Sequence, residues 1–401
     1  MNARITGHLL LPDTDQGVRL APGTLVIRGE RIESVMEGLD PNADLGGEDY
    51  FITPGFVDAH VHLPQFDSIG VDGLELLDWL KTAIFPAEAK WKDAAYAAEM
   101  AGRVAQELLS FGTTAVAAYA TVHHEGTQAA IEALAREGIA GHVGQVLMDR
   151  NAPPELLSGA KESLESAARL RGAGRIAPAV TPRFAITCSE ELLLGAAQLA
   201  RATGWYVQTH LAETRREIET VQALFPGETY TGVYERTGLL TKRTLLGHCV
   251  WLEEADLATV RRHGAIVAHC PTANRFLDAG VMKRAKIADA GVRMALGSDV
   301  AGGPDRSMVR IARGMIEAAK ASGSAIPTGA QCWAQITRWN ADLLGLKHCG
   351  SLEAGRYADV LVIRPTTRWW ESPDVLSHLI YAWDDRWLRA TIAAGEVRWK
   401  A

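Results

Sequence analysis

The sequence has no basic block, no closely spaced cysteine pair and no long uncharged apolar run. Lysine and arginine number 41 against 48 aspartates and glutamates, a formal net charge of -7. That balance makes duplex nucleic acid and an anionic membrane surface poor partners. The five cysteines, Cys188, Cys249, Cys270, Cys332 and Cys349, are odd in number and dispersed, with no C-x-x-C among them. This argues against a disulfide framework and for a reducing compartment. No apolar stretch of about 18 residues is free of charge, so no membrane span is expected. The opening MNARITGHLLLPDTDQG lacks the basic start and apolar run of a secretory signal. Together these point to a cytoplasmic protein.

What is present is an ordinary globular composition, 47% hydrophobic and 22% charged over 401 residues. That length suits one large α/β barrel with a small additional domain. The first fifty residues read as short strands at 4–11, 24–28 and 30–36. Turns at Ala21-Pro22-Gly23 and Gly29-Glu30 punctuate them. The last fifty look alike, with β-rich runs at 358–363, 390–394 and 397–399. The two ends are therefore expected to share a sheet.

Between them the rhythm changes. Eight apolar runs, at 55–59, 113–119, 141–147, 176–180, 205–209, 244–247, 265–268 and 292–296, alternate with amphipathic segments. The latter include 93–110, 128–137, 154–171, 189–203, 216–224 and 254–263, with a helix-start signal at Ser189-Glu190-Glu191. Continuous rather than alternating apolar runs are the mark of buried parallel strands. Strand and helix repeated eight times predict an α/β fold, a (β/α)8 TIM barrel. The expected division is a barrel catalytic domain over 54–351. A composite β-sandwich domain is expected from 1–53 plus 352–401.

Each run ends in residues capable of chemistry: His60 and His62; Thr121, His123 and His124; Asp149 and Arg150; Arg183; His210 and Glu213; His248; His269; and Asp299. In a barrel of this kind the C-terminal strand ends form the active-site face, so these distant residues converge. On a strand, His60 and His62 point to the same side and can grip one cation. His210 and Asp299 complete a set of three nitrogens and one oxygen, with His248 nearby. Buried histidines and aspartates are costly without partners, which makes this company a metal site rather than packing. Mixed imidazole and carboxylate ligands suit zinc or iron(II). The fourth run, Ile176-Ala177-Pro178-Ala179-Val180, has no lysine to supply a bridging carbamate, so one metal is expected.

Glu213, three residues beyond His210, is placed to carry protons, although a helix-start carboxylate has the same sequence signature. Asp299 is a candidate ligand and base, and His248 a hydrogen-bond donor to a developing oxyanion. His269 is open between support and direct participation. His123, His124, His142, His263, His348 and His378 read as surface or structural histidines. Trp369, Trp370, Trp383, Trp387 and Trp399 read as core or interface. The glycines at 297–303 follow no dinucleotide fingerprint. No P-C-x-x-C follows an H-x-E, which disfavours a deaminase of the cytidine type.

The run Pro54-Gly55-Phe56-Val57-Asp58-Ala59-His60-Val61-His62 resembles the opening signature of the amidohydrolase superfamily. The strand-end set His60, His62, His210, His248 and Asp299 matches its pattern. The tail Gly350-Ser351-Leu352-Glu353-Ala354-Gly355-Arg356-Tyr357-Ala358-Asp359-Val360 resembles the return into that family's small β-sandwich. Within the superfamily, several stretches are similar to the guanine deaminases: HLPQF at 62–66, LLDWL at 76–80, IFPAEAKW at 84–91 and MDRNAP at 148–153. Others are TPRFAITCSEELL at 181–193, QTHLAE at 208–213, SDVAGG at 298–303 and Trp383-Asp384-Asp385-Arg386.

The resemblance runs along nearly the whole chain. It implies one zinc ion held by His60, His62, His210 and Asp299. It also implies base recognition by Gln65, Arg183 and Phe184, with His210, Glu213 and Asp299 against the base and Glu213 as proton shuttle. The implied partner is a purine base, and the implied assembly a homodimer. The chemistry is coherent: an amide pairs with a purine edge, a guanidinium fork donates to the O6/N7 side, and a phenyl ring covers the ring face. Thr214 stands where that family often has asparagine, and Ala273 where a serine is usual. Two competing expectations remain: a deaminase or dechlorinase acting on another amino- or chloro-substituted heterocycle, and a non-catalytic member of the superfamily.

Overall fold

The eight apolar runs become eight parallel strands of one sheet. The computed structural model describes residues 1–13 and 17–401. In it the sheet comprises β5 (Phe56–His62), β6 (Thr113–Tyr119), β7 (Ala140–Leu147), β8 (Arg175–Pro182), β9 (Tyr206–Leu211), β10 (Thr244–His248), β11 (Ile266–His269) and β12 (Arg293–Leu296). Four strands precede it in the chain: β1 (Asn2–Pro12), β2 (Val18–Arg28), β3 (Arg31–Glu37) and β4 (Leu45–Pro54). Neighbours in the barrel follow chain order from β5 to β12. Every residue of β5, β6, β7, β10 and β11 is buried. Strands covered on both faces have no solvent side, hence the unbroken apolar runs.

The ring closes between β12 and β5 differently from the other seams. Beyond β12, the Asp299 N–H donates to His60 O (2.8 Å) and the His62 N–H to Val300 O (3.1 Å). Below that, a side chain does the stitching. Asn340 donates from Nδ2 to Val57 O (2.7 Å) and Leu296 O (2.8 Å), and its Oδ1 accepts from the Leu296 N–H (3.0 Å).

The helices start where short polar side chains satisfy the first free N–H groups. Asp93 caps Ala94–Ser110, and Ser189 caps Glu190–Thr203, which stops at Gly204 with φ 71°. The segment expected as one helix at 154–171 is two pieces, a 3-10 turn Pro154–Leu156 and a helix Ala160–Ala168. Extended backbone at Leu157 and Gly159 separates them.

The two chain ends build one seven-stranded mixed sheet, ordered β15-β14-β13-β4-β1-β2-β3, with β13 (Val360–Ile363), β14 (Leu388–Ala393) and β15 (Glu396–Lys400). Its joint is β4, parallel to β1 and antiparallel to β13. The sequence pattern misses β4 because Gly46, Gly47, Glu48 and Asp49 interrupt its apolar residues. The turn expected at Ala21-Pro22-Gly23 is not there: β2 runs straight through, pairing Pro22 with His8 and Gly23 with Gly7. Regular pairing with β3 ends at Gly23; beyond it Pro22 serves as an acceptor, its carbonyl taking the Gly38 N–H (3.2 Å), so the missing N–H costs no ladder bond.

One face of this sheet packs on itself around Ile5, Leu25, Ile52 and Val362. The other, through Phe51, Leu361 and Leu388, packs on helices Met308–Ala321, Gly329–Ala334 and Val375–Ala382. Trp387 is buried in that second layer, and Trp369, Trp370, Trp383 and Trp399 are half-buried against it.

Candidate active site

At the C-terminal end of the barrel, five donor groups crowd one point. The Nε2 atoms of His60 and His62 each lie 3.3 Å from Oδ1 of Asp299. The Nε2 atoms of His62 and His210 are 3.2 Å apart. One donor atom each of His60, His210, His248 and Asp299 falls within a 4.8 Å span. The strand ends make this possible by strained backbone: Ala212, His248 and Asp299 all have positive φ (51°, 67° and 53°). Such conformations in residues other than glycine cost energy and re-aim side chains at functional sites. Room for the His60 ring comes from two glycines. A Cβ at Gly247 would sit 2.7 Å from its Cε1, and one at Gly297 2.6 Å from its Cβ.

Hydrogen bonds fix the rings. His210 Nδ1 meets Arg183 O at 2.7 Å, and His248 Nδ1 meets Asn274 Oδ1 at 2.8 Å. Each contact makes Nδ1 the protonated nitrogen and leaves an Nε2 lone pair aimed inward. Burial, then the neighbouring imidazoles, keeps His210 far below its ordinary range. Burial likewise brings His62 down to about 3, so both rings are neutral. Burial alone would push Asp299 up, but the imidazoles of His60 and His62, each 3.3 Å away, and the proximity of His248 hold it well below the usual carboxylate range. The Nε2 of His60 is buried and makes no hydrogen bond to any described residue. Neutral imidazoles with free lone pairs around one carboxylate are the donor chemistry of a zinc-class cation. The residues fit the group.

Glu213 stands beside this cluster, 3.4 Å from His248 Nε2. It precedes the helix Arg215–Leu224, whose cap is Thr214 in a reciprocal box with Glu217. The helix-start role therefore falls to Thr214 and Glu217, leaving the Glu213 side chain to the cavity. Burial, then the charges of Asp299 and Glu217, raises Glu213 well above its ordinary value, which favours its protonated form.

The space beside the cluster opens to solvent and, with that opening counted, is about 350 Å³. His62, His210, His248, Asp299 and Glu213 line it together with Gln65, Arg183 and Phe184 and with the apolar Leu76, Trp79, Leu80 and Leu277. Gln65 donates from Nε2 to Glu88 Oε1 (3.1 Å), and Arg183 Nη1 donates to both oxygens of Glu88 (2.7 Å each).

The structure thus gathers His60, His62, Gln65, Arg183, Phe184, His210, Glu213, His248 and Asp299. His269 is not in the cavity lining; it is buried, and neither ring nitrogen bonds to a described residue. Burial depresses it to about 3. His123 and His124 lie at the start of helix His124–Arg136, away from the cavity. His142 bonds to Leu344 O (2.8 Å) and His263 to Glu235 (2.8 Å). Asp149 caps Ser189, and Arg150 donates to Ala185 O.

Sequence reasoning missed Tyr119, Asn274 and Glu88. Tyr119 ends β6 and packs on His60, His62 and His210 with ring centroids 4.5–4.9 Å apart. Its strand-end position was the available signal. Glu88 lies inside the IFPAEAKW stretch at 84–91, and Asn274 directly follows Ala273.

The profile of the amidohydrolase family matches residues 51–398. Guanine deaminase of Dictyostelium discoideum is 31% identical over 376 residues, covering 88% of this chain and 83% of the relative. The structure of E. coli guanine deaminase superposes with a TM-score of 0.93 at 29% identity, covering 99% of both chains. Guanine deaminase from C. acetobutylicum, solved with guanine bound in its active site, superposes with a TM-score of 0.91 at 29% identity. That match covers 98% of this chain and 99% of the other.

Proposed function

The chain belongs to the amidohydrolase family, and from that premise we propose that it hydrolyses guanine to xanthine and ammonia. One observation carries the reading. A metal-type donor cluster shares the lining of one cavity with an amide and a guanidinium, in a fold that superposes on an enzyme holding guanine.

His60, His62, His210 and Asp299 would hold the metal. His248 is left out of that set because Asn274 turns its ring so that Nε2 approaches Glu213 (3.4 Å) more closely than Asp299 (3.8 Å). A bound zinc ion supplies Lewis acidity, making water a nucleophile near neutral pH. Gln65 and Arg183 hold the base by its edges, and Phe184 covers its face. Water attacks C2; Asp299 takes its proton, and Glu213 delivers its own proton to the adjoining ring nitrogen. The His248 ring stabilises charge building on the attacking oxygen. The C2–N bond then breaks: the amino group takes the proton held by Asp299 and leaves as ammonia, while the hydroxyl on C2 gives its proton to Glu213 as the carbonyl of xanthine forms. Two carboxylates pushed in opposite directions, Glu213 up and Asp299 down, divide the acid and base roles between them.

No helix among the described residues is long and apolar enough to cross a membrane. A homodimer is the assembly proposed from the family resemblance, and sedimentation at micromolar concentration reads it directly; the dispersed cysteines support a reducing, cytoplasmic location. The tryptophans lend it no support, because they are packed within the chain.

The deciding experiment is ammonia release from guanine by the purified, metal-loaded protein, beside a chelator-stripped sample. Release that disappears on stripping and returns with zinc supports the proposal. A folded, zinc-loaded protein that leaves guanine intact overturns it.

A further inference from the structure

Behind the wall that faces the substrate lies a carboxylate that never reaches the cavity. Glu88 is fully buried on the short helix Phe85–Ala89, and its side chain is not among the lining residues. Its two oxygens take both hydrogen bonds from Arg183 Nη1 at 2.7 Å, and Oε1 also takes one from Gln65 Nε2 at 3.1 Å. The same helix supports the guanidinium with the Phe85 ring, 5.4 Å from its carbon. Thr121 anchors the Glu88 backbone by donating to its carbonyl (3.3 Å).

Two consequences follow from elementary chemistry. A carboxylate only accepts, so the Gln65 amide must turn its NH2 toward Glu88. Its carbonyl is then directed to the Ala301 N–H (3.4 Å). The edge offered to a ligand, one N–H and one carbonyl lone pair in fixed order, is thereby chosen. The second consequence is charge. An unpaired buried guanidinium draws an anion, whereas the Arg183–Glu88 pair is neutral as a unit. Only Nη1 is engaged, so the rest of the fork still donates to a neutral acceptor.

We propose that Glu88 is the positioning residue that sets the purine selectivity of this pocket. By clamping Gln65 and Arg183 together it makes the wall a reader of neutral bases and disfavours anionic ones. The inference rests on Gln65 and Arg183 being the base-binding side chains. Xanthine, with an N–H flanked by two carbonyls, loses a proton more readily than guanine, so the same clamp helps the product leave.

The test compares the parent enzyme with Glu88→Gln, which keeps the shape and removes the charge. It measures KM and kcat for guanine, Ki for xanthine at mildly alkaline pH, and bound zinc. Expected for Glu88→Gln are unchanged zinc content, a KM for guanine raised about tenfold or more, a smaller change in kcat, and a lowered Ki for xanthine. The opposite movement of KM and Ki is what simple loss of packing would not produce. A KM within twofold of the parent, or KM and Ki rising by the same factor, overturns the inference. Where Glu88→Gln does not fold, Glu88→Asp carries the test, since it keeps the charge but shortens the reach. Its KM should rise about fivefold or more while the ratio of Ki to KM falls, because guanine alone depends on the amide's direction. A parental KM in Glu88→Asp overturns the inference. Absence of guanine turnover by the parent enzyme overturns the functional reading and this inference together; the outcomes above overturn this inference alone.

Discussion

The Asp58 carboxylate joins the first and last barrel strands by accepting both the backbone N–H (3.0 Å) and the hydroxyl of Ser298, 240 residues away. It also accepts the N–H of His60 at 3.1 Å. One buried carboxylate thereby holds His60 on one side of the seam and the residue before Asp299 on the other.

Replacing Asp58 should therefore be felt at the metal site. Asp58→Ala leaves the Ser298 and His60 N–H groups without this acceptor, and zinc affinity should fall by about tenfold to a hundredfold. Competition against a chromogenic chelator measures it. An unchanged affinity in a folded variant would mean that the seam does not set ligand placement.

Asn340 supports the same seam from below. Beyond its bonds to Val57 and Leu296, its Oδ1 accepts from Gln335 Nε2 at 2.9 Å. Asn340→Ala strands several buried partners and should cost about 2–4 kcal/mol of stability, read by denaturant unfolding. A loss below about 0.5 kcal/mol would show that the strands close without it.

Glu213→Gln keeps the side chain's size and removes its transferable proton. The expected loss in kcat for guanine is about a thousandfold, with bound zinc unchanged. Retention of more than a tenth of the parental kcat would assign the proton transfer elsewhere.

Gln65→Ala removes an edge contact without touching a metal ligand. KM for guanine should rise about tenfold or more, with kcat reduced less. Equal losses in kcat and kcat/KM would instead mean that the amide acts only in the transition state.

The five cysteines are all buried. Burial raises every thiol, Cys188 and Cys332 to about 12 and Cys249, Cys270 and Cys349 also upward. The thiolate is the reactive form, so none should react with a disulfide reagent within minutes at pH 8 in the native state. Unfolding should release five equivalents; rapid native labelling would contradict the packing described.

The barrel was readable because a parallel strand buried on both faces must be apolar along its whole length, as 113–119 and 141–147 are. The convergence of His60, His62, His210 and Asp299 was readable too, since the ends of such strands share one rim. Strand β4 was not, because its glycines and acidic residues hide a strand that exists only through β1 and β13 on either side. His123 and Tyr119 show a finer limit. The histidine has the more chemical side chain, but the strand stops at Tyr119, and His123 already stands as the residue before the next helix.

The sequence by itself determined the alternation of strands and helices and the residues standing at each strand end, because both are set by local periodicity. Only the tertiary structure decided which of those residues share a point. Positive φ at His248 and Asp299 turns their side chains inward by an amount no periodicity encodes, while His269 on the adjacent strand stays out of the cavity. The pairings of Glu88 with Arg183 and of Asp58 with Ser298 likewise join groups far apart in the chain. Ring closure alone brings them into the low-dielectric interior, where a charge or a buried N–H must find its partner.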